Sequence, residues 1–216
     1  MPCVRHIIVC EGESEHAYLQ RLQSFLDAQP IPGGAFEAPL RFISKDEAIA
    51  QGGSFAKLDK TFRRLRKENK TARSLQIWAD FDLYHRNEKD CADLYAEKPK
   101  GIPDFLFSFH NFEDFFALHH CGDQLAEWLR YGSLEGQGHF TTPLHSDKYV
   151  PEIERIFPGY GKGDVHPDFI SWASLKNLKA NLGHQPSASN PHSLSGICSF
   201  AGFLIEQLER AYPGAL

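Results

Sequence analysis

A short apolar run that ends at an acidic residue gives the strongest indication of the fold class. Residues 7–10 read Ile-Ile-Val-Cys, and Glu11 and Gly12 follow directly. Runs of this kind, without polar alternation, are typical of strands buried on both faces in the parallel sheets of α/β proteins. Gly12 permits a sharp turn, and Ser14 can cap the helix whose pattern starts there. The stretch predicts a central strand that ends at Glu11, where open α/β sheets bind their ligands.

The composition narrows the class of protein. The chain has 216 residues, enough for one sizeable core or for a core domain with an appended subdomain. No apolar run approaches membrane-spanning length, and the N-terminus lacks the apolar region of a signal peptide, so we expect a cytoplasmic protein that does not enter a membrane. The five cysteines are scattered without a C-x-x-C pair, which argues against a ribbon-type zinc site.

The order of the patterns predicts the architecture. Further strands are expected at 40–44, 74–82 and 103–109; helices follow the first, second and fourth strands, and a connecting helix and loop at 85–100 follows the third. Asn111 and Asp114 form an approximate capping box for the last of these helices. Beyond residue 121 the alternation stops, and the remaining patterns are helical, at 123–131, 150–157, 168–182 and 194–212. We therefore predict an α/β core at 1–121 with a mostly parallel four-stranded sheet, and a helical C-terminal subdomain at 122–216 packed on it.

The helix predicted after the second strand has a strongly basic face. Its apolar stripe is Phe55, Leu58, Phe62 and Leu65, and the opposite side carries Lys57, Lys60, Arg63, Arg64 and Lys67. Such a face is either simply solvated or in contact with nucleic-acid phosphates. The net charge of −5 argues against a protein that coats nucleic acid indiscriminately but allows a local patch.

Acids recur at the ends of the predicted strands. Glu11 lies at the end of the first strand, and Glu113 follows the fourth. Asp80 and Asp82 lie at the end of the third strand, and because they are two residues apart, their side chains project to the same side of it. Each acid by itself fits a helix cap or a solvated charge. Acids at three strand ends along one edge of a sheet predict a site for Mg²⁺ or Mn²⁺, with one metal or two about 3.5–4 Å apart, of the kind used in phosphoryl transfer.

This combination resembles the Toprim domain, shared by topoisomerases, bacterial primases and OLD-type nucleases. It is most similar to the RloB-like family of small bacterial Toprim proteins associated with restriction and phage-defence loci. The matching stretches are 10–15 with Tyr18, then 79–82 and 108–119, with weaker matches at 160–164, 190–193 and 204–208.

The resemblance implies roles for individual residues. Glu11, Asp80, Asp82 and Glu113 would be metal ligands or general acids and bases, and Glu15 would be a supporting acid. Ser108, His119 and Asn190 would also support the site. Lys162 would come back over it from the helical part of the chain. Lys162 stands between two glycines, so it is either an exposed loop charge or a cation that neutralises the scissile phosphate.

Other sites fit the sequence less well. His119, His120 and Cys121 suggest zinc, but adjacent histidines on a helix point apart, which favours a hydrogen-bonded His119 or one that orients a carboxylate. A G-x-S-x-G elbow does not occur, and the glycines around Lys162 have the wrong spacing for a P-loop.

Two functions remain. The first is a metal-dependent nuclease, a hydrolase that cleaves DNA or RNA in phage defence. The second is a non-catalytic Toprim module that binds nucleic acid or a partner subunit of a restriction or abortive-infection system, with the acids kept for structure.

Overall fold

The computed structural model describes residues 3–30, 38–44, 55–68, 74–80, 105–108, 111–140, 144–184 and 198–216. In chain order, the elements are β1 (Val4–Cys10), α1 (Glu13–Asp27), β2 (Leu40–Ile43), α2 (Phe55–Glu68), β3 (Leu75–Asp80), β4 (Phe105–Ser108), α3 (Phe112–Ala117), α4 (Gly122–Gly132), α5 (Ser146–Ile156), α6 (Trp172–Ala180), β5 (Cys198–Ser199) and α7 (Phe200–Ala211). A short 3-10 turn, Leu182–His184, follows α6. No helix among these residues is both long and apolar enough to cross a membrane.

The sheet is parallel throughout, in the order β2-β1-β3-β4-β5. The predicted α/β fold with four parallel strands is therefore confirmed, and β1 and β3 are neighbours, with Cys10 opposite Trp78. The fifth strand was not predicted. Cys198 and Ser199 pair with β4, whereas the sequence pattern had placed both residues in a helix at 194–212.

The two faces of the sheet are covered differently. The connection from β1 to β2 and the connection from β2 to β3 run in opposite directions across the sheet. Since such crossovers are right-handed, their helices, α1 and α2, lie on opposite faces. The α1 side carries an aromatic core in which Trp78 stacks on Phe200 with ring centroids 3.6 Å apart, and Tyr18 meets the Trp78 ring edge-on. On the other side, the buried stripe of α2 packs against β1 and β3; it consists of Leu58, Phe62 and Leu65.

The C-terminal helices complete the aromatic side of the sheet. Phe203 of α7 contacts His6 and Phe42, one residue on each of the first two strands. Phe169, just before α6, stacks on Phe116 of α3 with centroids 4.3 Å apart. Burial of large aromatic rings of this kind contributes much of the stabilisation of a core. The division at residue 121 stays a prediction, but α7 and β5 lie directly against strands of the first part.

Candidate functional site

Four buried carboxyl side chains meet at the carboxyl edge of the sheet, and we call them the acidic cluster: Glu11, Glu15, Asp80 and Glu113. Glu11 follows β1, Asp80 ends β3, and the other two lie in the first turns of α1 and α3. The four residues are between 3% and 9% exposed. The parallel pairing of β1 with β3 accounts for the closeness of Glu11 and Asp80, because it aligns the ends of the two strands.

Backbone donors hold two of these side chains. Glu11 Oε2 accepts the Asp80 N–H at 2.8 Å, and the Glu11 N–H donates to the Trp78 carbonyl at 3.0 Å. Glu15 Oε2 accepts the N–H of Gly12, the residue that caps α1, at 3.1 Å. The prediction that Ser14 caps α1 is wrong, since the chain enters the helix at Gly12 and the Ser14 hydroxyl points elsewhere.

The electrostatics of the cluster favour a positive partner. Burial, then the neighbouring carboxylates of Glu11 and Glu113, raise the pKa of Glu15 to about 8. Burial also raises the pKa of Glu113 against the opposing effect of a hydrogen bond from Tyr160. Crowded carboxyl groups without a cation must keep protons or repel one another. Oxygen ligands in a crowded anionic site match the preference of Mg²⁺ and Mn²⁺, so the chemistry of these side chains fits a hard divalent cation.

The side chains are not arranged as a complete metal shell. Within the described parts of the chain, no three His, Cys, Asp or Glu side chains form a group that could hold a metal ion. The predicted ligand Asp82 lies outside the described residues, as does the predicted supporting residue Asn190.

A turn from the C-terminal part of the chain covers the cluster. Tyr160 donates its hydroxyl hydrogen to Glu113 Oε1 at 2.6 Å, and the Gly163 N–H donates to Ser14 Oγ at 3.1 Å. Lys162, at the tip of this turn, is exposed, and its charge lies close enough to Glu113 to lower the pKa of that carboxyl group. The structure thus brings the turn that carries Lys162 to Glu113 and to the first turn of α1. The sequence did not reveal the contact of Tyr160 with Glu113, because 47 residues separate them.

Two predicted supporting residues lie in the core beside the cluster. Ser108 is opposite Asp80 in the β3–β4 register and accepts the indole N–H of Trp78 at 2.8 Å. His119 donates from Nδ1 to the Phe115 carbonyl at 3.2 Å and accepts the Tyr18 hydroxyl at Nε2, 2.9 Å away. Burial lowers the pKa of His119 to about 3, so the ring is neutral. The interpretation of His119 as a hydrogen-bonded core residue is confirmed.

A second buried carboxylate, Asp114, belongs to a separate network. Trp128 Nε1 donates to Asp114 Oδ1 at 2.9 Å, and the Asn111 N–H donates to Oδ2 at 3.2 Å. His139 Nε2 lies 3.4 Å from Oδ2. Because His139 Nδ1 accepts the Leu144 N–H, the proton of a neutral ring is on Nε2, which also lies 3.2 Å from Asn111 Nδ2. We call Asn111, Asp114, Trp128 and His139 the Asp114 network; it includes the predicted capping box, which is confirmed.

The basic residues of α2 are exposed as predicted. All five candidates, Lys57, Lys60, Arg63, Arg64 and Lys67, lie on the solvent side of the helix. Arg63 is paired with Asp59 at 2.8 Å, and Arg64 lies 3.9 Å from Glu68. Within the described parts of the chain, Lys60 and Lys67 have no such ion pair. These two lysines are the better candidates for phosphate contacts.

Comparison with known protein families, with curated proteins and with solved structures finds no match to this chain.

Proposed function

We propose that the protein is a Mg²⁺- or Mn²⁺-dependent nuclease of the Toprim type, which hydrolyses phosphodiester bonds of DNA or RNA in phage defence. The acidic cluster carries the proposal. It joins buried carboxyl groups from four different elements at the edge of a parallel sheet where such folds bind ligands. Maintaining these acids so close together costs stability, and sites that keep such a cost are candidates for function.

The proposed roles of the acids follow from their positions in the cluster. Glu11, Asp80, Asp82 and Glu113 would hold the cation, whose chemistry when bound is to polarise the phosphorus–oxygen bond and to lower the pKa of the attacking water. Glu15 lies behind them, with a carboxyl group whose raised pKa suits it to hold a proton next to the ligands.

Lys162 would neutralise charge on the scissile phosphate. Its turn is fixed to the first turn of α1 by the contact between Gly163 and Ser14, and its charge lowers the pKa of Glu113. A pre-organised cation of this kind stabilises a transition state by roughly several kcal/mol. We expect Lys162→Ala to slow cleavage by at least about tenfold at saturating Mn²⁺. The exposed Lys148→Ala is the matched control, and equal rates for the two variants would remove Lys162 from the site.

Nucleic acid would be held in part by α2. Removing one lysine that contacts a phosphate reduces the steepness of log K against log[salt], where K is the binding constant, by about 0.9 for duplex DNA or about 0.7 for single strands. We expect Lys60→Gln to reduce this slope more than Arg63→Gln, because Arg63 already pairs with Asp59. Equal slopes in wild type and Lys60→Gln would exclude a phosphate contact at that residue.

The alternative function is a non-catalytic module that binds nucleic acid or a partner subunit. One observation favours it: Glu11, Glu15 and Glu113 each accept a hydrogen bond from the protein itself, as structural acids do. The two functions differ in whether a phosphodiester bond is broken.

The deciding experiment incubates plasmid DNA, single-stranded DNA and total RNA with the protein and Mn²⁺. Wild type is compared with Asp80→Ala and with Asp147→Ala, which removes an exposed carboxylate at the start of α5. We expect cleavage by wild type and Asp147→Ala but not by Asp80→Ala. Cleavage that survives Asp80→Ala would contradict the proposed site, whereas salt-sensitive binding without cleavage would support the alternative.

A further inference from the structure

The contact of Tyr160 with Glu113 joins two side chains that the rest of the chain shields from water. The hydroxyl oxygen lies 2.6 Å from Glu113 Oε1, a short distance for a hydrogen bond between a phenol and a carboxylate. Tyr160 is 8% exposed and Glu113 is 3% exposed. A hydrogen bond in this environment has few competing water molecules, so it holds both side chains in one orientation.

Both ends of the Tyr160 segment are anchored. The Tyr160 N–H donates to the Phe157 carbonyl at 3.0 Å, and the ring packs edge-on against Phe116 with centroids 5.0 Å apart. Further along the chain, the Asp164 N–H donates to the Gly161 carbonyl, and Arg21 Nε donates to the Val165 carbonyl at 2.9 Å. The position of the hydroxyl group is therefore set by the core on one side and by α1 on the other.

Glu113 needs such support more than Glu11 or Asp80 does. Glu11 and Asp80 are aligned by the pairing of adjacent strands, and the Asp80 N–H binds Glu11 directly. Glu113 instead lies in the first turn of the short helix α3, where a glutamate side chain can adopt several rotamers. The Tyr160 hydroxyl donates to Oε1 and so restricts the rotamers open to the Glu113 side chain.

We propose that Tyr160 is a positioning residue, which holds the Glu113 carboxyl group in the orientation in which it would bind the divalent cation of the proposed function. The inference rests on the proposed function, and it adds a residue from the C-terminal part of the chain to the site. Partners that orient metal ligands in this way typically contribute about 10- to 100-fold to metal affinity.

The test is calorimetric titration with Mn²⁺ of wild type, Tyr160→Phe, Glu113→Gln and the double variant. Tyr160→Phe keeps the ring and its contact with Phe116 but removes the hydroxyl group. We expect it to weaken Mn²⁺ binding about tenfold, and to change the electron paramagnetic resonance spectrum of the bound Mn²⁺. In the Glu113→Gln background the same change should have no further effect, because Tyr160 acts through that carboxylate.

The matched control is Tyr131→Phe, which removes a tyrosine hydroxyl that donates to the Lys148 carbonyl at 3.3 Å, away from the cluster. It should bind Mn²⁺ as wild type does. Unchanged affinity and spectrum in Tyr160→Phe would overturn the inference, as would a loss of the same size in the Glu113→Gln background, which would indicate general damage. Absence of Mn²⁺ binding by wild type would overturn the metal site itself and this inference with it.

Discussion

Glu113 and Asp114 are consecutive residues in the first turn of α3, and their carboxyl groups lie in contrasting surroundings. They are almost equally buried, at 3% and 4% exposed. Asp114 faces donors, namely the indole N–H of Trp128, the backbone N–H of Asn111 and the imidazole of His139. Glu113 faces other acids and is approached by one hydroxyl group, that of Tyr160.

The contrast separates a structural acid from a candidate functional one. Burying a charge is tolerated where hydrogen-bond donors surround it and is costly where like charges do. Successive residues of a helix point about 100° apart, which follows from 3.6 residues per turn, so one turn of α3 supplies both environments. The Asp114 network stabilises the fold, whereas the acidic cluster costs stability and has a use only if a cation or a proton enters it.

The largest expected effect is the loss of cleavage in Glu113→Gln. The amide keeps the shape of the side chain and can still accept the Tyr160 hydroxyl, but it is a much weaker cation ligand. We expect cleavage to fall at least about a thousandfold, or about 4 kcal/mol in activation free energy. The free energy of unfolding should be unchanged or slightly higher, because a buried charge is removed. A variant that is as destabilised as Asp114→Asn would break the contrast.

The next largest effect is on stability, in Asp114→Asn. The new amide group presents an N–H₂ where the aspartate accepted hydrogen bonds, so a buried donor faces another donor. We expect the free energy of unfolding to fall by about 2–3 kcal/mol, as measured by urea denaturation. Asp147→Asn, whose carboxylate is exposed and paired with His145, should change it by less than about 0.5 kcal/mol. Equal stability of the two variants would mean that the Asp114 network is not structural.

The smallest expected effect is a pH dependence that Glu15 introduces. Its pKa is about 8 in the folded protein, raised from its usual value of 4.5, so the folded state keeps a proton that the unfolded state has lost. The contribution of Glu15 to the free energy of unfolding is fully present below the unfolded pKa and is lost as the pH rises through 8. Between pH 7 and pH 8 we expect stability to fall by about 1 kcal/mol.

The Glu15→Gln variant should abolish this loss of stability between pH 7 and pH 8. His119 and His120 make only a small opposing contribution in that window, because burial lowers their pKa values to about 3 and about 4 and their unfolded pKa of about 6.5 lies below it. Thermal denaturation at the two pH values measures the difference. An identical slope in wild type and Glu15→Gln would show that Glu15 is not held protonated.

The local parts of the fold could be predicted because they depend on nearby residues. The apolar run before Glu11, the run that ends at Asp80 and the capping box of Asn111 with Asp114 each act over a few positions. The alternation of these strands with helical patterns predicted the parallel sheet. Those features account for the sheet and for much of the acidic cluster.

The features that the sequence did not predict depend on residues that lie far apart in it. The contacts of Tyr160 with Glu113 and of His139 with Asp114 are decided by how the C-terminal helices pack on the sheet. The strand β5 has two residues and no apolar alternation, so its pairing with β4 overrides a helical pattern. The predicted cap of α1 was wrong by two residues for a local reason. The Glu15 side chain accepts the Gly12 N–H, and the Ser14 hydroxyl accepts the Gly163 N–H instead.

The pairing of β4 with β5 has a consequence for biosynthesis. Leu106 is matched with Cys198, so about 90 residues must be made and looped back before the fifth strand can join. The four acids of the acidic cluster leave the ribosome well before Tyr160, and before Phe200 covers Trp78. A nascent chain that has reached only residue 121 would carry the acids without the packing that orders them. Under the proposed function, cleavage is therefore expected only from chains whose synthesis has passed α7, and translation products that stop at residue 121 should be inactive.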